Sequence, residues 1–328
     1  MRLPEFEYFE PGSIEEAINQ LEENSSCTII AGGTDLVVAL KQRLQNSSSL
    51  ISLDKISSLK TIVNKDETVI VGAMSTLDDI INNTFIKEKL PALRKAAWDI
   101  GSPLLRSIAT IGGNICLNTR CRFYNQSFFW RSSREHCFKT GGNVCHVAKK
   151  KSSCVSTFSA DIPPVLISYR SKVKLVGTNG VRVIPLEEFY SGDGRFPNSI
   201  LSGSKEILTE IEIPIPRNNL KSCYRKFRLR ESIDFPLIGV SVAIQFNGEK
   251  RCEDARIILT GAGSGPVESE QARGMLLDKK LDTNLISNAA EAVVSEIYQF
   301  KTALVSPRYK RELAKVIISE AIKEVGGF

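Results

Sequence analysis

Cys121, Cys137, Cys145 and Cys154 fall within 34 residues of a 328-residue chain, spaced C-x15-C-x7-C-x8-C. Four soft thiolates can ligate a [4Fe–4S] cluster, or zinc, at whatever spacing a fold permits. This spacing is neither the C-x2-C pair of a zinc ribbon nor the C-x2-C-x2-C run of bacterial ferredoxins. The only two histidines, His136 and His146, adjoin Cys137 and Cys145, so either could replace a cysteine as ligand. From Arg120 to Lys151 eight Lys/Arg stand against one acid, Glu135. That surplus would offset the charge of a thiolate-bound metal group and attract an acidic redox partner. The plain alternative is a loop of unconnected buried thiols. Cys116 reads as a structural thiol, and Cys27, Cys223 and Cys252 as small core residues.

Two glycine loops offer a second chemistry: Ala31-Gly32-Gly33-Thr34 and Thr110-Ile111-Gly112-Gly113-Asn114. Paired glycines let backbone approach a ligand, and successive N–H groups can form an anion-binding nest. A helix beginning after the first loop would add partial positive charge. Facing each other, the loops could hold a pyrophosphate; singly, each is more simply a turn. Neither is a Rossmann fingerprint or a P-loop.

Arg122-Phe-Tyr-Asn125 and Phe128-Phe-Trp-Arg131 interleave aromatics with cations, as single-strand nucleic-acid binders do. The charge is confined to one insert, so packing around a cofactor or a partner chain is preferred. Asp161, before Pro163-Pro164, is a turn residue or a hydrogen-bond acceptor for a ligand. Lys226, Arg228 and Arg230 alternate along a strand and read as a solvated face.

The elements that must position these residues follow from periodicity and caps. Ser13-Ile-Glu-Glu16 is a capping box for a short amphipathic helix through Leu21. Thr28–Ile30 and Leu50–Leu53 read as strands, with a helix over Leu36–Leu44 capped by Thr34 or Asp35. Thr68–Val71 is strand-like, and Thr76–Ile81 and Pro91–Ile100 are helical. Lys172–Val176 and Val181–Ile184 form a hairpin about Asn179-Gly180. Beyond Pro214 and Pro216, strand patterns at Cys223–Leu229, Leu237–Phe246 and Ala255–Thr260 precede helices at Leu285–Phe300 and Pro307–Val325. Strands followed by helices indicate an α+β unit. Apolar residues at 42%, charged residues at 24% and no long uncharged apolar run point to a globular protein without a membrane span. With no signal-peptide pattern at the N-terminus, cytoplasmic localisation and reduced thiols are expected. Outside the insert the charges nearly cancel, which argues against a nucleic-acid binder.

Ala31-Gly-Gly-Thr-Asp-Leu36, Thr110-Ile-Gly-Gly-Asn114, Ser159-Ala-Asp-Ile-Pro-Pro164, Asp234-Phe-Pro236 and Tyr309-Lys-Arg-Glu-Leu313 occur in this order. With these segments the chain resembles the FAD-binding subunits of molybdenum hydroxylases, the xanthine and carbon monoxide dehydrogenase group. The resemblance implies an α+β fold. A two-subdomain FAD-binding domain of the PCMH type spans 1–58 and 59–216, and a C-terminal α+β domain of the CO dehydrogenase flavoprotein type spans 217–328. It implies FAD contacts from Ile30, Ala31, Gly32, Gly33, Thr34, Asp35, Thr110, Ile111, Gly113 and Asn114, with Asp161 and Lys226 as further contacts. No catalytic side chain is expected.

Family members pass from the second glycine loop to the Asp-x-Pro-Pro segment in far fewer residues than the 46 that separate Asn114 from Asp161. The extra piece, at about 117–158, resembles the insertion of 4-hydroxybenzoyl-CoA reductase β subunits, where four cysteines bind [4Fe–4S]. By that resemblance Cys121, Cys137, Cys145 and Cys154 are cluster ligands. The chain is then an electron-transfer subunit of a molybdenum enzyme that reductively dehydroxylates a phenolic aromatic. The implied partners are a molybdenum-cofactor large subunit and a [2Fe–2S] small subunit, in a dimer of heterotrimers, with a ferredoxin-like donor. One alternative is a hydroxylase subunit passing electrons from FAD to NAD. Another is a zinc-binding module that contacts nucleic acid.

Overall fold

The computed structural model describes residues 2–24, 26–297 and 305–328. Three sheets carry the fold, each with its own apolar core. The first is parallel: β1 (Glu7–Phe9), β2 (Cys27–Ile30) and β3 (Ser49–Ser52) run in the order β1-β3-β2. The helix Ile14–Glu23 buries Ala17, Ile18 and Leu21 against it. Ser13 accepts the Glu16 amide, but the Glu16 carboxylate reaches the Gly12 amide (2.7 Å), so only half of the expected capping box forms. The reciprocal box lies instead at Thr76 and Asp79.

The second sheet is antiparallel: β4 (Ile62–Lys65), β5 (Thr68–Gly72), β6 (Lys172–Gly177), β7 (Gly180–Pro185) and β8 (Glu206–Pro214), ordered β4-β5-β8-β6-β7. The hairpin forms as expected, with its two-residue turn at Thr178-Asn179, one position early; Gly180 has φ +105°. β8, the central strand, was not foreseen, because its alternation was masked by Pro214 and Pro216, read as a boundary. Between β5 and β6 the chain builds short helices, among them Pro91–Trp98, and a fully buried one, Ile162–Ser168.

The third sheet holds β9 (Leu220–Phe227), β10 (Ile238–Phe246), β11 (Cys252–Thr260) and β12 (Val267–Glu268), ordered β12-β11-β10-β9. Two helices, Thr283–Glu296 and Pro307–Gly326, bury Val293, Ile318 and Ile322 against it. The end of the helix expected over Leu285–Phe300 lies outside the described residues. Cys223 and Cys252 are buried in this core, as expected. No helix among the described residues is long and apolar enough to cross a membrane.

Candidate functional site

β2 delivers Ala31–Asp35 to the edge of the first sheet, and Gly33 turns the chain at φ +68°. Gly32 is required for another reason: a Cβ there would lie 1.9 Å from the Ile108 carbonyl oxygen. The first loop therefore presses directly on the segment leading into the second. The amides of Gly32, Gly33, Thr34 and Asp35 have no acceptor among the described residues, leaving a run of donors for an anion. The following helix is shorter than expected, Leu36–Lys41, and Arg43 takes a positive φ just beyond it.

The second loop is spent differently. Ile111 donates to the Ser75 carbonyl, Gly112 to Ala73 and Gly113 to Thr110 Oγ1 (3.0 Å). Gly112 packs on Ala73, where a Cβ would sit 2.7 Å from the carbonyl oxygen. Ile111 is fully buried in the core. Gly113 alone turns an exposed face outward, with only Thr110 Oγ1 near a would-be Cβ. The two loops meet, but they are not equivalent: the first offers free N–H groups, the second an open glycine surface. Asn114 Oδ1 accepts the Ile162 amide (3.1 Å), tying this loop to the buried helix behind Asp161.

Asp161 stands at the start of that helix but does not cap it. Its carboxylate accepts from Tyr224 Oη (2.6 Å) and pairs with Lys226 Nζ (3.0 Å), with both side chains almost wholly buried. Lys226 and Arg228 also donate to the Asp99 carbonyl. The solvated face expected for this strand is therefore wrong at Lys226. Burial pushes the Asp161 carboxyl up, opposed chiefly by the Lys226 charge.

The insert is closed at its base by paired backbone bonds between Arg120 and Thr157 (2.7 and 2.8 Å). It holds one short helix, Phe128–Ser132, and one 3-10 turn, Phe138–Thr140. Side chains fasten it to the first glycine loop. Arg120 pairs with Asp35, whose carboxylate does not cap the helix as expected, and the Arg120 guanidinium lies 4.5 Å from the Phe235 ring centroid. Burial lowers the Arg120 guanidinium to about 10. Tyr124 Oη donates to the Leu44 carbonyl (2.8 Å) and Arg131 to that of Arg43 (2.6 Å).

All four insert cysteines are free thiols and line one cavity. Each sulfur has a nearby donor. Cys121 faces the amides of Phe123 and Tyr124, and Cys137 the Thr140 hydroxyl at 3.7 Å. Cys145 accepts from the Ala148 amide (3.4 Å), and Cys154 lies 3.2 Å from Ser156 Oγ. Hydrogen bonds to sulfur are one lever that sets the potential of an iron–sulfur cluster. Burial pushes Cys121 and Cys154 above the usual thiol range, so a cation is needed to make them thiolates. Cys116, in contrast, is a core thiol raised to about 12 by burial, the structural role expected of it. Each histidine is anchored through one ring nitrogen, His136 Nδ1 3.1 Å from the Thr140 carbonyl and His146 Nε2 2.9 Å from that of Glu135, and His146 lines the same cavity as the cysteines.

Among the described residues no three His, Cys, Asp or Glu side chains converge closely enough for a single metal ion. Gly141-Gly142 was missed by sequence reasoning, although a Gly-Gly pair between two cysteines is a visible turn signal. Gly141 has φ +85°, and a Cβ on Gly142 would sit 1.7 Å from the His136 carbonyl oxygen. A larger cavity of about 580 Å³ adjoins this one, and Cys154 lines both.

Residues 4–216 match the family model described as the FAD binding domain in molybdopterin dehydrogenase, and residues 222–325 match the CO dehydrogenase flavoprotein C-terminal domain. The nicotinate dehydrogenase FAD-subunit of Eubacterium barkeri is 27% identical, over 98% of this chain and 97% of its own. The carbon monoxide dehydrogenase medium chain of Hydrogenophaga pseudoflava is 26% identical, over 97% and 96%. Among solved structures, quinoline 2-oxidoreductase from Pseudomonas putida 86 superposes with a TM-score of 0.81 at 23% identity, covering 100% of this chain and 99% of that one.

Proposed function

Since this chain belongs to the family of FAD-binding subunits of molybdenum hydroxylases, we propose that it is a relay carrying both FAD and a [4Fe–4S] cluster, in a complex that reductively dehydroxylates a phenolic aromatic. The observation that carries the cluster is the meeting of Cys121, Cys137, Cys145 and Cys154 around one cavity, each sulfur beside a donor. FAD, when bound, supplies one- and two-electron exchange, and the cluster one-electron exchange.

The chain's own residues bind and orient. The free amides of Gly32–Asp35 and the open face of Gly113 receive the pyrophosphate, with Thr34, Thr110 and Asn114 as flanking polar groups. Ile30 and Ala31 deliver the first loop from β2. Asp161 and Lys226, the further contacts proposed, lie almost wholly buried as a pair behind Asn114. The space among the thiols is about 20 Å³, little more than one water. Cys121, Cys137, Cys145 and Cys154 would hold a cubane with the insert more open than this, and at Gly141 even an added Cβ would meet no other atom. The proposed partners are a molybdenum large subunit and a [2Fe–2S] small subunit, with an acidic ferredoxin-like donor meeting the basic insert. The proposed division of the chain is at 58/59 and 216/217.

Iron, sulfide and flavin stoichiometry on the anaerobically purified complex tests the reading; the expected result is both cofactors on this chain. Cys137→Ser should remove iron and leave flavin, since Cys137 makes none of the contacts to the first glycine loop. Equal loss of both would contradict this. A second reading is favoured by the dehydrogenases among the relatives: electrons leave through FAD to NAD. Rapid anaerobic reduction by NADH, with none by reduced ferredoxin, would select it. The family match over both parts of the chain sets aside a zinc-binding nucleic-acid module.

A further inference from the structure

Lys139 lines the cysteine cavity, and its ammonium has no carboxylate partner among the described residues. Its Nζ donates to Asn118 Oδ1 (2.6 Å) and approaches the Thr119 carbonyl (3.4 Å), both neutral acceptors, and lies 4.9 Å from the Tyr124 ring centroid. A half-buried cation without an anion is unfavourable, and neutral dipoles compensate it only in part. Lys139 shares the lining of that cavity with the thiols of Cys121, Cys137, Cys145 and Cys154. No other Lys or Arg lines this cavity among the described residues; Arg120 pairs with Asp35, and Arg131 donates to the Arg43 carbonyl.

We propose that Lys139 is the internal counter-ion of the group held by the four cysteines, stabilising its reduced, more anionic state and so raising its reduction potential. This rests on the cluster reading above. Asn118 and Thr119 fix the ammonium, so Lys139 acts as a positioning residue with an electrostatic output.

The test uses Lys139→Gln and Lys139→Arg in the full complex, isolated anaerobically, with iron and sulfide per chain, flavin content and the cluster midpoint from a titration followed by electron paramagnetic resonance. Lys139→Gln should lower the reduced-to-oxidised ratio at the wild-type midpoint at least tenfold, about 59 mV for one electron. Lys139→Arg should restore it. Loss of iron in Lys139→Gln but not in Lys139→Arg also supports a need for charge. A full iron complement at the wild-type midpoint in Lys139→Gln overturns the inference, as does loss of iron in both variants. Iron-free wild-type complex would instead remove the cluster itself, and the role of Lys139 with it.

Discussion

Gly32 and Gly113 belong to loops of the same type, yet each is needed for a different reason. At Gly32 a side chain collides with backbone, 1.9 Å from the Ile108 oxygen. Gly32→Ala should therefore force the two loops apart, costing about 1–3 kcal/mol in denaturant unfolding and lowering flavin content as well. At Gly113, which is exposed, a side chain would meet only the Thr110 hydroxyl, 3.0 Å from its Cβ. Gly113→Val should change stability by no more than about 1 kcal/mol while emptying the protein of flavin, because a branched side chain occupies the ground the pyrophosphate must cover. Unchanged flavin absorbance after desalting would refute that assignment. Both glycines were visible in the sequence; which one faces the ligand was not, because the distinction depends on Ile108, 76 positions away from Gly32.

Elements without much regular structure of their own hold the site by cross-bonds. The insert is kept in place by Tyr124 and Arg131, which donate to the Leu44 and Arg43 carbonyls just beyond the helix Leu36–Lys41. The middle sheet has a comparable tie: Arg182 on β7 reaches over β6 to Glu206 on β8 (2.5 and 2.8 Å). Arg182 holds the Glu206 carboxyl below its usual range. The folded value lies under the unfolded one, so the stabilisation is fully present above the ordinary glutamate range and disappears as pH falls through the lowered folded value. Arg182 is 44% exposed, which limits the effect to less than about 1 kcal/mol. The stability gap between wild type and Arg182→Met should be present at pH 7 and close in acid; a gap independent of pH would mean that packing, not charge, is responsible.

Across the whole molecule, Arg120 joins three parts of the chain: the insert it begins, Asp35 of the first glycine loop, and Phe235 of the segment after β9. Arg120→Ala should lower flavin and iron together, whereas Cys137→Ser separates them; the same metal and flavin assay reads both. Retention of both cofactors in Arg120→Ala would show that the insert and the flavin loops stand independently. The α+β class, the glycine loops, the hairpin and the four-cysteine group were legible from sequence, because turn glycines, period-two alternation and soft-ligand clustering are local signals. The Asp161–Lys226 pair, the burial of Ile111 and the Asp35–Arg120 bond were not, since burial and charge pairing depend on which distant segments meet. Residue types thus determined which chemistries this chain can support. Only the tertiary arrangement decided which of its amides, carboxylates and cations remain free to perform them, because a polar group already satisfied inside the fold has little left to offer a ligand.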